Sequence, residues 1–314
     1  MNRYIIYFLL CLFVIFSCKK EEEVSVIGGN DVIPYDRYSD SVTYGGIPTI
    51  LLENYVNRIY IDLLGREPFD AEMQRDVQYL RNNYIGMIYR DSLLIRLQSD
   101  TAFIEGNTSY KHAYHHWLYE SLKTRLIEGV SNGYISSQAG IIYAAYVVDT
   151  VNGNMIEANK KLLMYNNLQD IIKSEMEYFH DSITINEMHR RMAFNPIYDE
   201  INMNTFNFIN AIFDNLFYRY PTQYEFDECY KMIDENSTQL LLGSSGNSKY
   251  DMTVIICNSD EFYEGLINWT HIMLLGRQAN PVERNSLMLD FLEHNNYQEI
   301  QRSIIKTDEY AHFN

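Results

Sequence analysis

Three side chains in the middle of the chain have the types and spacing of a metal site. His112, His116 and Glu120 fall at i, i+4 and i+8, so a helix would carry them on one face. Imidazoles one turn apart, with a carboxylate a turn further on, can chelate a transition metal. Such a site needs more ligands from a second helix, and His180 and Glu187 are candidates by type alone, with His115 and His189 as further imidazoles. The same face also reads as an aromatic surface, because Tyr110, Tyr114, Trp117 and Tyr119 surround the histidines and suit packing or partner binding. We expect the second reading, with no metal and no cofactor.

Charged pairs form the other constellation: Arg66/Glu72, Arg219/Glu225 and Arg277/Glu283. Paired charges with perturbed ionisation mark many active sites. An active site usually occurs once, however, whereas a scaffold repeats its parts, so each Arg is expected to tie a turn to the start of the next helix. The chain lacks H-E-x-x-H, a glycine-rich phosphate loop after a strand, and C-x-x-C-H. No catalytic residue is assigned and the chain is expected not to be an enzyme. Cys229 and Cys257 leave two readings, a disulfide permitted by an exported protein's compartment or a pair of buried thiols acting as small apolar residues.

The elements that position these groups follow from a stretch that recurs. Leu63 to Pro68, with Glu72, aligns without gaps on Leu216 to Pro221 with Glu225, and Leu274 to Arg277 aligns with Glu283 following. Asn57, Asn210 and Asn268 each stand six residues before the first Leu. In the first copy Tyr55, Val56, Ile59, Leu63 and Leu64 form an apolar helical stripe ended by Gly65, and Pro68 forbids continuation. Thr222 to Glu225 and Asn280 to Glu283 are capping-box patterns, whereas the first copy has Phe69 in that slot and points to Asp70 as the cap. Tyr218 stands where the glycine should be, so the second turn must differ or be strained. The copies close at Ser99 to Phe103, at Ser259-Asp260-Glu261-Phe262 and at Thr307-Asp308-Glu309-Tyr310.

This spacing predicts an all-α fold of three helical repeats. The first spans 49–106, a helical insertion 107–203, the second repeat 204–265 and the third 263–314. The first copy should hold helices over Leu51–Leu64, Asp70–Arg81 and Met87–Gln98. Within the insertion, helices are expected over 111–127, 135–148, 154–180 and 186–192, with 143–151 as the one possible β-hairpin arm. Gly243 to Ser248 reads as a flexible, exposed loop in the second copy.

Arg58 to Pro68, R-I-Y-I-D-L-L-G-R-E-P, with Glu72, resembles a helical domain of unknown function found beside cytochrome-type domains in large planctomycete proteins. The third copy, with Thr307 to Tyr310, is similar to the phycobilisome-linker-like repeats of bacterial surface proteins. Each resemblance covers about fifty residues per copy and implies a helical structural module without a catalytic residue.

Upstream, Arg3 precedes an apolar run, Tyr4 to Phe16, that ends at Ser17-Cys18, the layout of a signal peptide over 1–17 closed by a lipobox. Cys18 is then the lipidated first residue. Residues 18–48 read as tether and linker, and Lys19 to Glu23 resemble the acidic tether of Bacteroidota-type surface lipoproteins. The formal net charge of −17 argues against nucleic acid and against lying flat on an anionic leaflet. The chain is therefore expected to be a lipid-anchored scaffold at the outer membrane and cell surface, partnered by other envelope proteins. The alternative is a glycan- or ligand-binding lipoprotein, since 27 Tyr and 2 Trp could stack on sugars.

Overall fold

The computed structural model describes residues 46–102 and 108–313. The signal peptide over 1–17, Cys18, most of the 18–48 linker and Phe103 lie outside the described residues. Fifteen helices and one two-stranded sheet make the described part, so the fold is all-α in character. In order they are α1 (Thr49–Leu64), α2 (Asp70–Asn82), α3 (Met87–Ser99), α4 (Tyr110–Ile127), α5 (Asn132–Val151), α6 (Met155–Phe179), α7 (Ile185–Ala193), α8 (Pro196–Asn202), α9 (Thr205–Phe217) and α10 (Gln223–Asp234). Next come β1 (Gln239–Leu241), β2 (Ser244–Gly246), α11 (Lys249–Cys257), α12 (Asp260–Leu275), α13 (Pro281–His294), α14 (Tyr297–Ile305) and α15 (Asp308–Ala311).

The apolar stripe of α1 is its buried face: Tyr55, Val56, Ile59, Leu63 and Leu64 all join one core cluster that runs from Ile47 to Phe313. Gly65 ends α1 at φ 69°, ψ 17°, and Gly276 ends α12 at φ 70°, ψ 15°. Tyr218 ends α9 in the same left-handed region, at φ 59°, ψ 30°. The second turn is thus strained rather than different. At the start of α2 the cap is Phe69 rather than Asp70, because the Glu72 carboxylate reaches back to the Phe69 N–H at 2.8 Å.

Two local expectations fail. Residues 143–151 belong to α5, not to a β arm, since α5 pairs along its length with α6 as a helical hairpin. The stretch at 243–248 is exposed at Gly243 to Ser245, as expected, but it is not irregular: it forms part of a β-hairpin whose register pairs Leu241 with Ser244. Its turn residues Leu242 and Gly243 both have positive φ, as a two-residue hairpin turn requires. So small a hairpin is marginal alone; here Leu241 is buried and Gly246 lies tight against Met232 and Asp251, leaving no room for a Cβ.

The last helices return to the first. Tyr310 Oη donates to Asp62 at 2.6 Å, Arg58 donates to the Tyr310 carbonyl at 2.9 Å, and buried Arg90 pairs with Asp308 at 2.7 Å. Arg302 reaches Gln98 at 2.8 Å, so α14 is joined to α3 as α15 is to α1.

Candidate functional site

The three Arg–Glu pairs are geometrically alike. Arg66 holds Glu72 through two bonds of 2.7 and 2.8 Å, Arg219 holds Glu225 at 2.8 and 2.7 Å, and Arg277 holds Glu283 at 2.8 and 2.7 Å. Each carboxylate also accepts a backbone N–H at the helix start, from Phe69, Thr222 and Asn280. Two of the guanidinium groups reach further, Arg219 to Glu261 and Arg277 to Glu309. Burial raises the Glu72 and Glu225 carboxyls, but the Arg bonds and the backbone donors outweigh it and hold both below the ordinary range. At Glu283 the Arg277 hydrogen bonds lead and bring the carboxyl down to about 2. Carboxylates held ionised and bonded in this way fasten each turn to the start of the following helix.

The candidate metal face of His112, His116 and Glu120 is dispersed by its surroundings. His116 Nδ1 lies 2.9 Å from Glu175 on α6, the His112 ring packs edge-on to Phe179, and Glu120 pairs with Lys123 at 2.8 Å. His115 is buried with Nδ1 on the Lys111 carbonyl, and burial lowers it to about 4, which keeps it neutral. His189 is fully buried against Phe262 and Trp269; burial and then the Arg125 charge lower it to about 3. Glu187 is taken by Arg190 and Arg191, and His180 stacks edge-on with Phe179. Among the described residues no three His, Cys, Asp or Glu side chains converge as a metal site. Of the two readings left open for them, Cys229 and Cys257 take the second: they are free, buried thiols, each pushed up to about 12 by burial. Thiols held protonated in this way are poor nucleophiles.

What sequence spacing did not single out is a pocket where α1, α4, α12 and α14 meet. Its lining includes Asp62, Leu63, Tyr114, Trp117, Trp269 and Tyr297, and its volume is about 100 Å³. Trp117 lies flat on the first turn, where a Cβ at residue 65 would collide with its ring, so Gly65 serves both the turn and this contact. Trp269 stacks on Tyr297 with ring planes 11° apart. Both tryptophans of the chain therefore stand at one site, a convergence that their positions in α4 and α12 do not announce.

The second unassigned feature is the α5–α6 hairpin. Residues 132–148 carry no Asp, Glu, Lys, Arg or His, and α6 is the one substantial neighbour of α5 among the described residues. Its outer side exposes Ile141 at 61 %, Val148 at 57 % and Val151 at 80 %, and beyond the bend Ile156 is 74 % exposed. The charges near the bend cancel in pairs, Lys161 with Asp149 and Lys160 with Glu157. No described helix is long and apolar enough to cross a membrane.

No family model matches the chain, and neither a curated protein nor a solved structure matches it.

Proposed function

We propose that the chain is a non-enzymatic helical interaction protein, held at the outer membrane by lipid on Cys18, and that α5 is the surface it presents to another envelope protein. The outer face of α5 carries this reading. A helix of 20 residues is about 30 Å long, and one exposing an uncharged, largely apolar side along that length resembles an interface more than a solvated surface. The three matching turns support reading 49–106, 204–265 and 263–314 as copies of one structural unit that carries the insertion. On this reading the repeats are the frame and the hairpin is the working part. The excess of acidic groups disfavours nucleic acid.

A glycan-binding alternative draws on the partly exposed group Phe206, Phe226 and Tyr230, with ring centroids 5.2 and 6.4 Å apart. Three rings with intervening edges make a small platform, and α5 offers the larger continuous surface.

Purification from the native membrane in mild detergent, with the doubly substituted Ile141→Asp, Val148→Asp chain beside the wild type, tests the proposal. The wild type is expected to bring down a stoichiometric envelope partner, and the variant to lose it while melting at the same temperature. A variant that retains the partner would refute docking through α5.

A further inference from the structure

The pocket between α1, α4, α12 and α14 has a chemistry of its own, independent of the docking face. From its geometry we infer that it binds a primary amine carried on a compact apolar body, such as a single ring with a one-carbon arm. Size sets the first limit. The volume of about 100 Å³ is of the order of the roughly 150 Å³ apolar cavity that admits benzene, so one ring fills it.

The walls set the second. Leu63, Leu118, Leu274, Trp117 and Trp269 are apolar, and the hydroxyl groups among them are already engaged. Tyr114 donates to Gln301 at 2.5 Å, Ser121 donates to the Trp117 carbonyl at 2.8 Å, and Thr270 and Tyr297 lie 3.1 Å apart. Asp62 is the exception. Its Oδ2 accepts from Tyr310 at 2.6 Å and lies 3.6 Å from Arg58 Nε, whereas Oδ1 accepts no hydrogen bond from the described residues.

Burial raises the Asp62 carboxyl, against the lowering by the Tyr310 hydroxyl and Arg58. The Asp62 side chain is 24 % exposed, and an ammonium group donating to Oδ1 would form a charge-assisted bond there. Of the two cations beside the pocket, Arg58 directs its terminal N–H groups away, to the carbonyls of Tyr310 and Leu274 and to His312, and Arg125 lies against the Trp269 ring, 4.7 Å from its centroid, which leaves Asp62 and the Trp117 face for an incoming cation. The half-exposed Trp117 ring adds an electron-rich surface for the cation at the pocket's edge, and the acidic molecule as a whole repels anions.

Because the two tryptophans of the chain both line the pocket, intrinsic fluorescence reads its occupancy directly. Benzylamine, benzyl alcohol and benzoate share the ring and differ in the group offered to Asp62; titration of the full chain with each, followed by emission and by calorimetry, is the test. Benzylamine is expected to bind about tenfold tighter than benzyl alcohol, the worth of one charge-assisted bond, and benzoate weakest. Asp62→Asn, which keeps an acceptor for Tyr310, should reduce benzylamine to the level of the alcohol. Should that variant fail to fold, Trp117→Phe should weaken benzylamine several-fold. Benzoate binding as well as the amine, no saturable response to benzylamine, or an undiminished amine preference in the variants would each overturn the inference.

Discussion

Tyr218 holds the backbone conformation that glycine takes at the other two turns, and an L side chain there costs about 1–2 kcal/mol. The ring offsets part of this by packing on the core, with the Arg125 guanidinium 5.4 Å from its centroid. Glu128 has the same strain without that compensation: φ is 54° at the end of α4, and the side chain is exposed. Glu128→Gly should therefore stabilise the protein by about 1 kcal/mol, read as a Tm higher by about 2–4 °C in scanning calorimetry. An unchanged Tm would mean that the left-handed cap is not under strain. The residue scale also shows where reading from sequence stops. His112, His116 and Glu120 do share a helix, as their spacing requires, but Phe179, Glu175 and Lys123 decide where each side chain goes. Two of those three neighbours come from α6, and no periodicity within residues 110–127 reveals them.

At the scale of elements, the Arg–Glu turn was legible because all its parts lie close in sequence, with the left-handed cap directly before the Arg and the Glu that caps the following helix six residues after it. The further links were not. Glu261 lies 42 residues from Arg219, and Glu309 lies 32 from Arg277; both were visible only as parts of closing motifs. Helix type went astray at 143–151 because Tyr and Val favour strands locally, while pairing with α6 secures the helix. The turns also set an acid limit. A carboxylate whose folded value is depressed stabilises the fold fully above its ordinary range and loses that contribution as pH falls through the folded value. For Glu283 the window runs from the ordinary 4.5 down to about 2. The urea midpoint should thus fall steadily across that range, and Arg277→Ala should flatten the fall while lowering the midpoint at pH 7. A variant with the wild-type acid profile would detach these bonds from acid stability.

For the whole molecule, the decisive contacts are those between its first and last described helices. Tyr55 meets Tyr310 and Phe313 with ring centroids 6.0 and 5.5 Å away, and the Tyr310 hydroxyl is held by Asp62. Helical repeats commonly stack neighbour on neighbour; the return of α15 to α1 has no local signature and could not be read from the repeated motif. Removing residues 307–314 takes Asp308 away from buried Arg90 and strips the cover from α1. It should lower the unfolding free energy by about 3–5 kcal/mol in equilibrium urea titration, and an unchanged midpoint would show the closure to be incidental. The closure also bears on time. A chain delivered gradually, from a ribosome or through a translocation pore, produces α1 first and the helix that completes its packing last. An open array can settle unit by unit as it emerges. Here α2, α3 and α4 can pack on α1 early, but Tyr55 waits for Ile305, Tyr310 and Phe313 until some 250 further residues have arrived, and such distant closure is slow. Until then α1 is a natural client for a holding chaperone.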